Sequence, residues 1–246
     1  MASPRYTLNI KNDEPVSEKH VMTKKEKLSN FWFYYKWHIV GGITAAVMIF
    51  SFVYEIVSQV DPDYSIGIIT AYAMPQEIKD ALELKLSTMA DDRNGDGRIV
   101  VTLNEFNFPN DGDATGADPN VYAANSTRLM GDIQTGDSML FLTYDLEQMS
   151  EKYDFFAYND GSTPEEGAKV DTTRMGIPWS ECPKLNSLEL GDIVSLEGQV
   201  IGKGQDIFKD MSLVKRAYKG TAIEGKKHME EYYNASMLFY DKLTAK

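Results

Sequence analysis

The chain has 246 residues, with 37 Asp plus Glu against 25 Lys plus Arg, a net charge of −12, three His and one Cys. So acidic a chain lacks the clustered Lys and Arg that phosphate backbones require, which excludes nucleic acid as a partner, and Cys182 alone rules out an internal disulfide framework. His20, His38 and His228 are too scattered to assemble a structural zinc site.

The average charge conceals a split. Residues 1 to 37 carry 7 basic and 4 acidic side chains, a net +3, whereas residues 61 to 246 carry 18 and 32, a net −14. Residues 1–23 are polar and aperiodic, the composition expected of a disordered cytoplasmic tail. Residues 24–37 form a basic and aromatic juxtamembrane segment: Lys24, Lys25 and Lys27, then Phe31-Trp32-Phe33-Tyr34-Tyr35-Lys36-Trp37, whose amphipathic rings suit the headgroup zone.

Residues 38–60 read as one transmembrane helix that takes the lipid bilayer as partner. Ile39 to Tyr54 is a run of 16 uncharged residues, 18 when counted from Trp37, which at the helical rise spans about 27 Å of a bilayer's hydrocarbon. Glu55 marks the outer boundary. No A-x-A pattern stands at Tyr54-Glu55-Ile56-Val57, which argues against a cleaved signal peptide, and no Cys stands there for a lipid anchor. By the positive-inside rule the lysine cluster keeps the N-terminus cytoplasmic. The expected protein is a single-pass cell-membrane protein with residues 61–246 outside.

Beyond Asp61-Pro62-Asp63, strand-like and helix-like segments alternate, the signature of an α/β fold with parallel strands. Tyr64 to Thr70 is a strand, followed by a helix opened by Pro75 with the stripe Ile78, Leu82, Leu86 and Met89. Arg98 to Phe106 is a second strand; Asp118-Pro119 opens a helix burying Tyr122, Leu129, Met130 and Ile133; Ser138 to Thr143 is a third strand. The less regular C-terminal third offers strands at Met175 to Trp179 and Asp192 to Val200. A helix follows from Ile223 to Leu243, with Met229, Tyr232, Tyr233, Met237, Tyr240 and Leu243 on a broad face. The expected domain is a small, mostly parallel sheet flanked by helices, preceded by one transmembrane helix.

The sharpest local motif is Asp92-Arg93-Asn94-Gly95-Asp96-Gly97-Arg98-Ile99. It matches the first eight positions of an EF-hand calcium loop: oxygen ligands at Asp92, Asn94 and Asp96, glycine at the sixth position, a backbone carbonyl from Arg98 and an aliphatic eighth residue. The twelfth position is Leu103, where a bidentate Glu belongs, and a strand follows. A structural calcium loop joining helix to strand is expected, against the plainer reading of a solvated Asx-Gly turn.

Near the end, Gly220-Thr221-Ala222-Ile223-Glu224-Gly225-Lys226-Lys227 imitates a phosphate-binding loop. Lys227 replaces the magnesium-binding hydroxyl, and no strong strand is expected before it. No nucleophile elbow, no H-E-x-x-H and no His-based triad is present, so no catalytic residue is assigned. Cys182 reads as an inert thiol.

Asp132-Ile133-Gln134-Thr135-Gly136-Asp137-Ser138-Met139-Leu140-Phe141-Leu142, a helix end passing through Thr-Gly-Asp into an apolar strand, resembles the approach to the third strand of type II extracytoplasmic solute-binding proteins. That resemblance covers residues 64 to 144. The aromatic block before the anchor and the Gly-Asp-Gly loop also look like membrane-anchored proteins of clostridial Gram-positive bacteria. The resemblance implies an extracytoplasmic binding domain, and no ligand residue carries over from it by motif. The function expected is a membrane-tethered binding module, not an enzyme, that takes a small ligand. The alternative is a structural or assembly protein of the envelope that binds another protein.

Overall fold

A computed structural model describes residues 22–58, 60–108, 119–165, 170–195 and 197–245. The expected tail falls almost wholly on residues 1–21, outside the described residues. The chain divides into two compact units, Met1–Gln59 and Val60–Lys246.

The first unit contributes α1, Lys24–Ser58, 35 residues long. Its start is built by a reciprocal pair: the Thr23 N–H donates to the Glu26 carboxylate at 2.8 Å, and the Glu26 N–H donates to Thr23 Oγ1 at 3.4 Å. Such a capping box satisfies backbone donors that the first helical turn leaves free. The juxtamembrane aromatics therefore stand on the same helix as the apolar run. Lys24–Glu55 is long and apolar enough to cross a membrane, and none of its apolar window is buried within the protein. At 1.5 Å per residue α1 is about 52 Å long, more than a hydrocarbon layer of about 30 Å needs.

The second unit is α/β. Its elements are β1 (Tyr64–Thr70), α2 (Gln76–Ser87), β2 (Val101–Asn107), α3 (Pro119–Thr135), β3 (Leu140–Thr143), α4 (Leu146–Tyr153), β4 (Phe156–Ala157), β5 (Gly176–Pro178), α5 (Pro183–Asn186), β6 (Asp192–Val194), β7 (Val200–Lys203), β8 (Ser212–Arg216) and α6 (Lys227–Thr244). The main sheet runs β2-β1-β3-β8-β4, with β5 also on β8, and β6-β7 form a separate hairpin.

The expectation of a mostly parallel sheet is corrected. β1 is parallel to β2 and β3, but β8 is antiparallel to β3, β4 and β5, so the sheet is mixed. The reason lies in the connections: α2, α3 and α4 lie between strands that run one way, β1, β2, β3 and β4, whereas β8 follows the short strands β5, β6 and β7. β8 then enters from the opposite end.

One sheet face presents Ile66, Ile68, Leu140 and Leu213 to Leu82 and Leu86 of α2, Trp179 and the α6 side chains Phe239 and Leu243. The other presents Ile69, Phe106, Phe141 and Val214 to Leu129 of α3, Met149 of α4, Phe155 and Phe156. These alternating sets are the period-two pattern of strands buried on both faces. The free edge of β2 is blocked by α2, since the Val101 N–H donates to Ser87 Oγ at 3.0 Å and the Leu103 N–H to Glu83 Oε1 at 2.8 Å. Side chains thus occupy donors that would otherwise invite a foreign strand.

Several boundaries differ from expectation. Met130 is 43% exposed instead of buried, and the Asp118 cap lies outside the described residues. The segment expected as one strand from Asp192 to Val200 is the hairpin β6-β7, and α6 begins at Lys227, not Ile223.

Candidate functional site

The loop between α2 and β2 carries Asp92, Asn94, Asp96 and Arg98 together. Asp92 accepts N–H groups from Gly95 at 2.7 Å and Gly97 at 3.0 Å, Asn94 Oδ1 accepts from Asp96 at 2.9 Å, and Asp96 accepts from Arg98 at 2.8 Å. Gly95 and Gly97 have φ of +75° and +81°, the left-handed region where a side chain is strained. The loop is thus a chain of Asx turns. Among the described residues no group of three or more His, Cys, Asp or Glu forms a metal-holding cluster. The donor set offers two carboxylates, one amide oxygen and the Arg98 carbonyl, fewer than the six to eight oxygens calcium takes, so water would complete any shell. Leu103, at the twelfth motif position, is buried in β2 and supplies no oxygen.

What anchors this loop is a residue outside the motif. Asp63 is fully buried, and its carboxylate accepts N–H groups from Arg93 at 2.7 Å, Asn94 at 3.0 Å and Val100 at 2.9 Å. The Asp63 carbonyl accepts Arg93 Nε at 2.7 Å, which tethers the guanidinium. It lies over the Tyr232 ring, 4.6 Å from its centroid. Tyr232 is pinned in turn: its hydroxyl accepts the Ser65 N–H at 3.0 Å and donates to the Asp137 carbonyl at 2.8 Å. Burial pushes this phenol up to about 12, so it acts as a neutral donor.

These residues border a groove of about 470 Å³ at the amino-terminal ends of β1 and β2. Ser65, Thr102 and Asn104 form its strand-borne part, Gly136 and Asp137 come from the turn before β3, and His228 and Tyr232 come from α6. The turn is set by Gly136, whose φ is +80° and whose N–H donates to the Asp132 carbonyl at 2.8 Å, closing α3 with a left-handed cap. A second depression of about 310 Å³ shares Asn104 and Asp137 and adds Arg128 and Asp132. There Asp132 accepts Ser138 Oγ at 2.7 Å, the Ser138 N–H at 3.1 Å and Asn104 Nδ2 at 3.3 Å. Burial raises the Asp132 carboxyl above its usual range; the Ser138 hydrogen bonds oppose that shift, Asp137 adds to it, and Arg216 opposes it.

The motif reading reached this groove only in part. Arg93 falls inside the Asp92–Ile99 motif and Asp137 inside the Thr-Gly-Asp motif, whereas Asp63, Ser65 and Asn104 carried no motif signal. Tyr232 was legible only as one member of the α6 stripe. The phosphate-loop imitation does follow a strand, β8, contrary to expectation, but Glu224 accepts the Gly220 N–H at 2.8 Å and so fills the place an anion would take. Cys182 is buried, and desolvation pushes its thiol up to about 11, which leaves it protonated and inert.

No protein-family model, curated protein or solved structure matches the chain.

Proposed function

We propose that this protein is a single-pass membrane-tethered binding module whose residues 60–246 form an extracytoplasmic domain resembling a reduced solute-binding lobe. The observation that carries the reading is the groove of about 470 Å³. Its volume lies in the range of small-molecule sites, and hydroxyl, amide, guanidinium and carboxylate groups converge on it. The Lys24, Lys25 and Lys27 cluster supports a cytoplasmic N-terminus, and the apolar length of α1 supports a lipid bilayer as the tether's partner. A binder is preferred to an enzyme because the sequence carries no nucleophile elbow, no H-E-x-x-H and no His-based triad. Calcium in the Asp92–Arg98 loop is assigned a structural part: it would stiffen the segment from which Arg93 projects.

The assembly reading has one observation in its favour. Val194, Val200 and Ile201 of the β6-β7 hairpin are 55%, 62% and 68% exposed, an apolar tip suited to another protein.

A small-molecule screen against the full chain in detergent micelles tests the reading, followed by the imidazole proton signals of His228, assigned by their loss in His228→Gln. Ligands that move those signals support a binding groove. A diverse library that leaves them unmoved overturns it and returns the hairpin to first place.

A further inference from the structure

We infer that the groove recognises a free carboxylate through Arg93, in a compact ligand whose opposite side carries an amine; the inference rests on the binding-module reading above. Three observations meet at this side chain. Arg93 is held before any ligand arrives, because its backbone N–H and its Nε are both bonded to Asp63, at 2.7 Å each, and its guanidinium rests on the Tyr232 ring. Tyr232 is itself fixed at its hydroxyl by Ser65 and Asp137.

The remaining face of the guanidinium is open. Among the described residues, its two Nη groups have no hydrogen-bond acceptor and Arg93 has no salt-bridge partner. Arg93 is exposed, so this fork is reachable from solvent. A planar fork of two N–H donors fits a planar carboxylate in a bidentate pair, and a preorganised fork loses little entropy on pairing.

Asp137 borders the same groove and sets the other half of the ligand. A simple dianion would be repelled there. An ammonium group would be attracted by Asp137, with the Asn104 side-chain oxygen as a further acceptor, since Asn104 spends its Nδ2 on Asp132 and Ser138. Such a carboxylate belongs to a free amino acid or to the C-terminus of a short peptide, and amidated probes separate charge recognition from shape.

The test uses the full chain in detergent micelles and four probes: L-alanine, L-alanine amide, trialanine and trialanine amide. Binding is read from the His228 imidazole signals. At least one free-carboxylate probe is expected to bind about tenfold tighter than its amide. Alanine as the tighter acid identifies free amino acids; trialanine identifies peptide ends. Arg93→Gln is expected to erase the acid-over-amide preference, Arg93→Lys to restore part of it, and Arg174→Gln, remote from the groove, to leave it intact. Equal binding of acid and amide, or a preference that survives Arg93→Gln, overturns the inference. If neutral library compounds move the His228 signals but no acid does, carboxylate recognition falls while the groove stands. If nothing moves them, both fall.

Discussion

Asp63 grips Arg93 from two directions, its carboxylate accepting the Arg93 N–H and its carbonyl accepting Arg93 Nε, both at 2.7 Å. One buried residue at the entry to β1 therefore sets both the path of the α2-β2 loop and the aim of the side chain that borders the groove. The Asp63 carboxylate also accepts from Asn94 and Val100, so removing it strands three backbone donors at once. Each buried donor left without a partner costs about 1–3 kcal/mol, reduced where water reaches the loop. Asp63→Ala is expected to lower unfolding stability by about 3 kcal/mol. Asp63→Asn, which keeps one acceptor, should fall between. Urea unfolding of the three proteins checks the order, and an unchanged Asp63→Ala midpoint contradicts it.

Much of the frame was legible from local pattern alone. β1 matches the expected Tyr64–Thr70, and Ile78, Leu82 and Leu86 of α2 are buried as their spacing requires. What escaped was decided by tertiary contact. β8 is only five residues long and becomes a central strand because β3 lies on one edge while β4 and β5 share the other, a pairing that no period reveals. α4 was missed although Asp145 caps it by accepting the Gln148 N–H at 2.9 Å; its eight residues are too few for a periodic stripe to stand out. The groove is harder still. Ser65, Arg93, Asp137 and Tyr232 come from four separate stretches, and only the folded chain shows that one phenol joins three of them.

The apolar helix leads to a topological expectation. With Lys24, Lys25 and Lys27 retained inside, protease added to intact cells should digest the chain beyond residue 60 and spare the segment before α1. Protection of the large domain with loss of the N-terminal segment would reverse the orientation. Because α1 and the domain are separate compact units, deleting residues 1–59 should also release a soluble, folded protein.

Asp132 makes stability depend on pH in the direction opposite to most carboxylates. Its folded-state pKa is raised, chiefly by burial, so the folded protein holds the proton more tightly than the unfolded chain does. The stability this contributes is fully present below the unfolded pKa and is lost as pH rises through the folded one. Once pH passes the folded pKa the buried charge works against the fold, only partly offset by Ser138 and by Arg216, whose Nη1 donates to the Asp132 carbonyl at 3.1 Å. Asp132→Asn, whose amide nitrogen meets donors that one carboxylate oxygen now satisfies, should compare more favourably with the parent at pH 7 than near pH 4. Urea midpoints at the two values measure it, and a difference independent of pH would remove Asp132 from the account.

The calcium loop gives the remaining expectation, and its geometry selects the variants. Asp92 caps both Gly95 and Gly97, so Asp92→Ala would weaken the loop even without metal. Asn at position 96 keeps the acceptor for the Arg98 N–H, and Asn at position 92 keeps one of the two that Asp92 offers to Gly95 and Gly97, while both charges are removed. Calcium binds best where anionic oxygens gather, and with only Asp92 and Asp96 charged its affinity should be low, in the range of extracellular modules. At about 100 times its dissociation constant, calcium would add roughly 2.7 kcal/mol to stability by mass action. Thermal melts with millimolar calcium and with chelator should therefore differ for the parent and coincide for Asp92→Asn/Asp96→Asn. The metal-free melt of the variant should lie slightly below the parent's, because Asn at position 92 leaves one of the Gly95 and Gly97 N–H groups to water. Superimposable parent melts with and without calcium would leave Asp63 and the Asx turns as the whole physical basis of the loop.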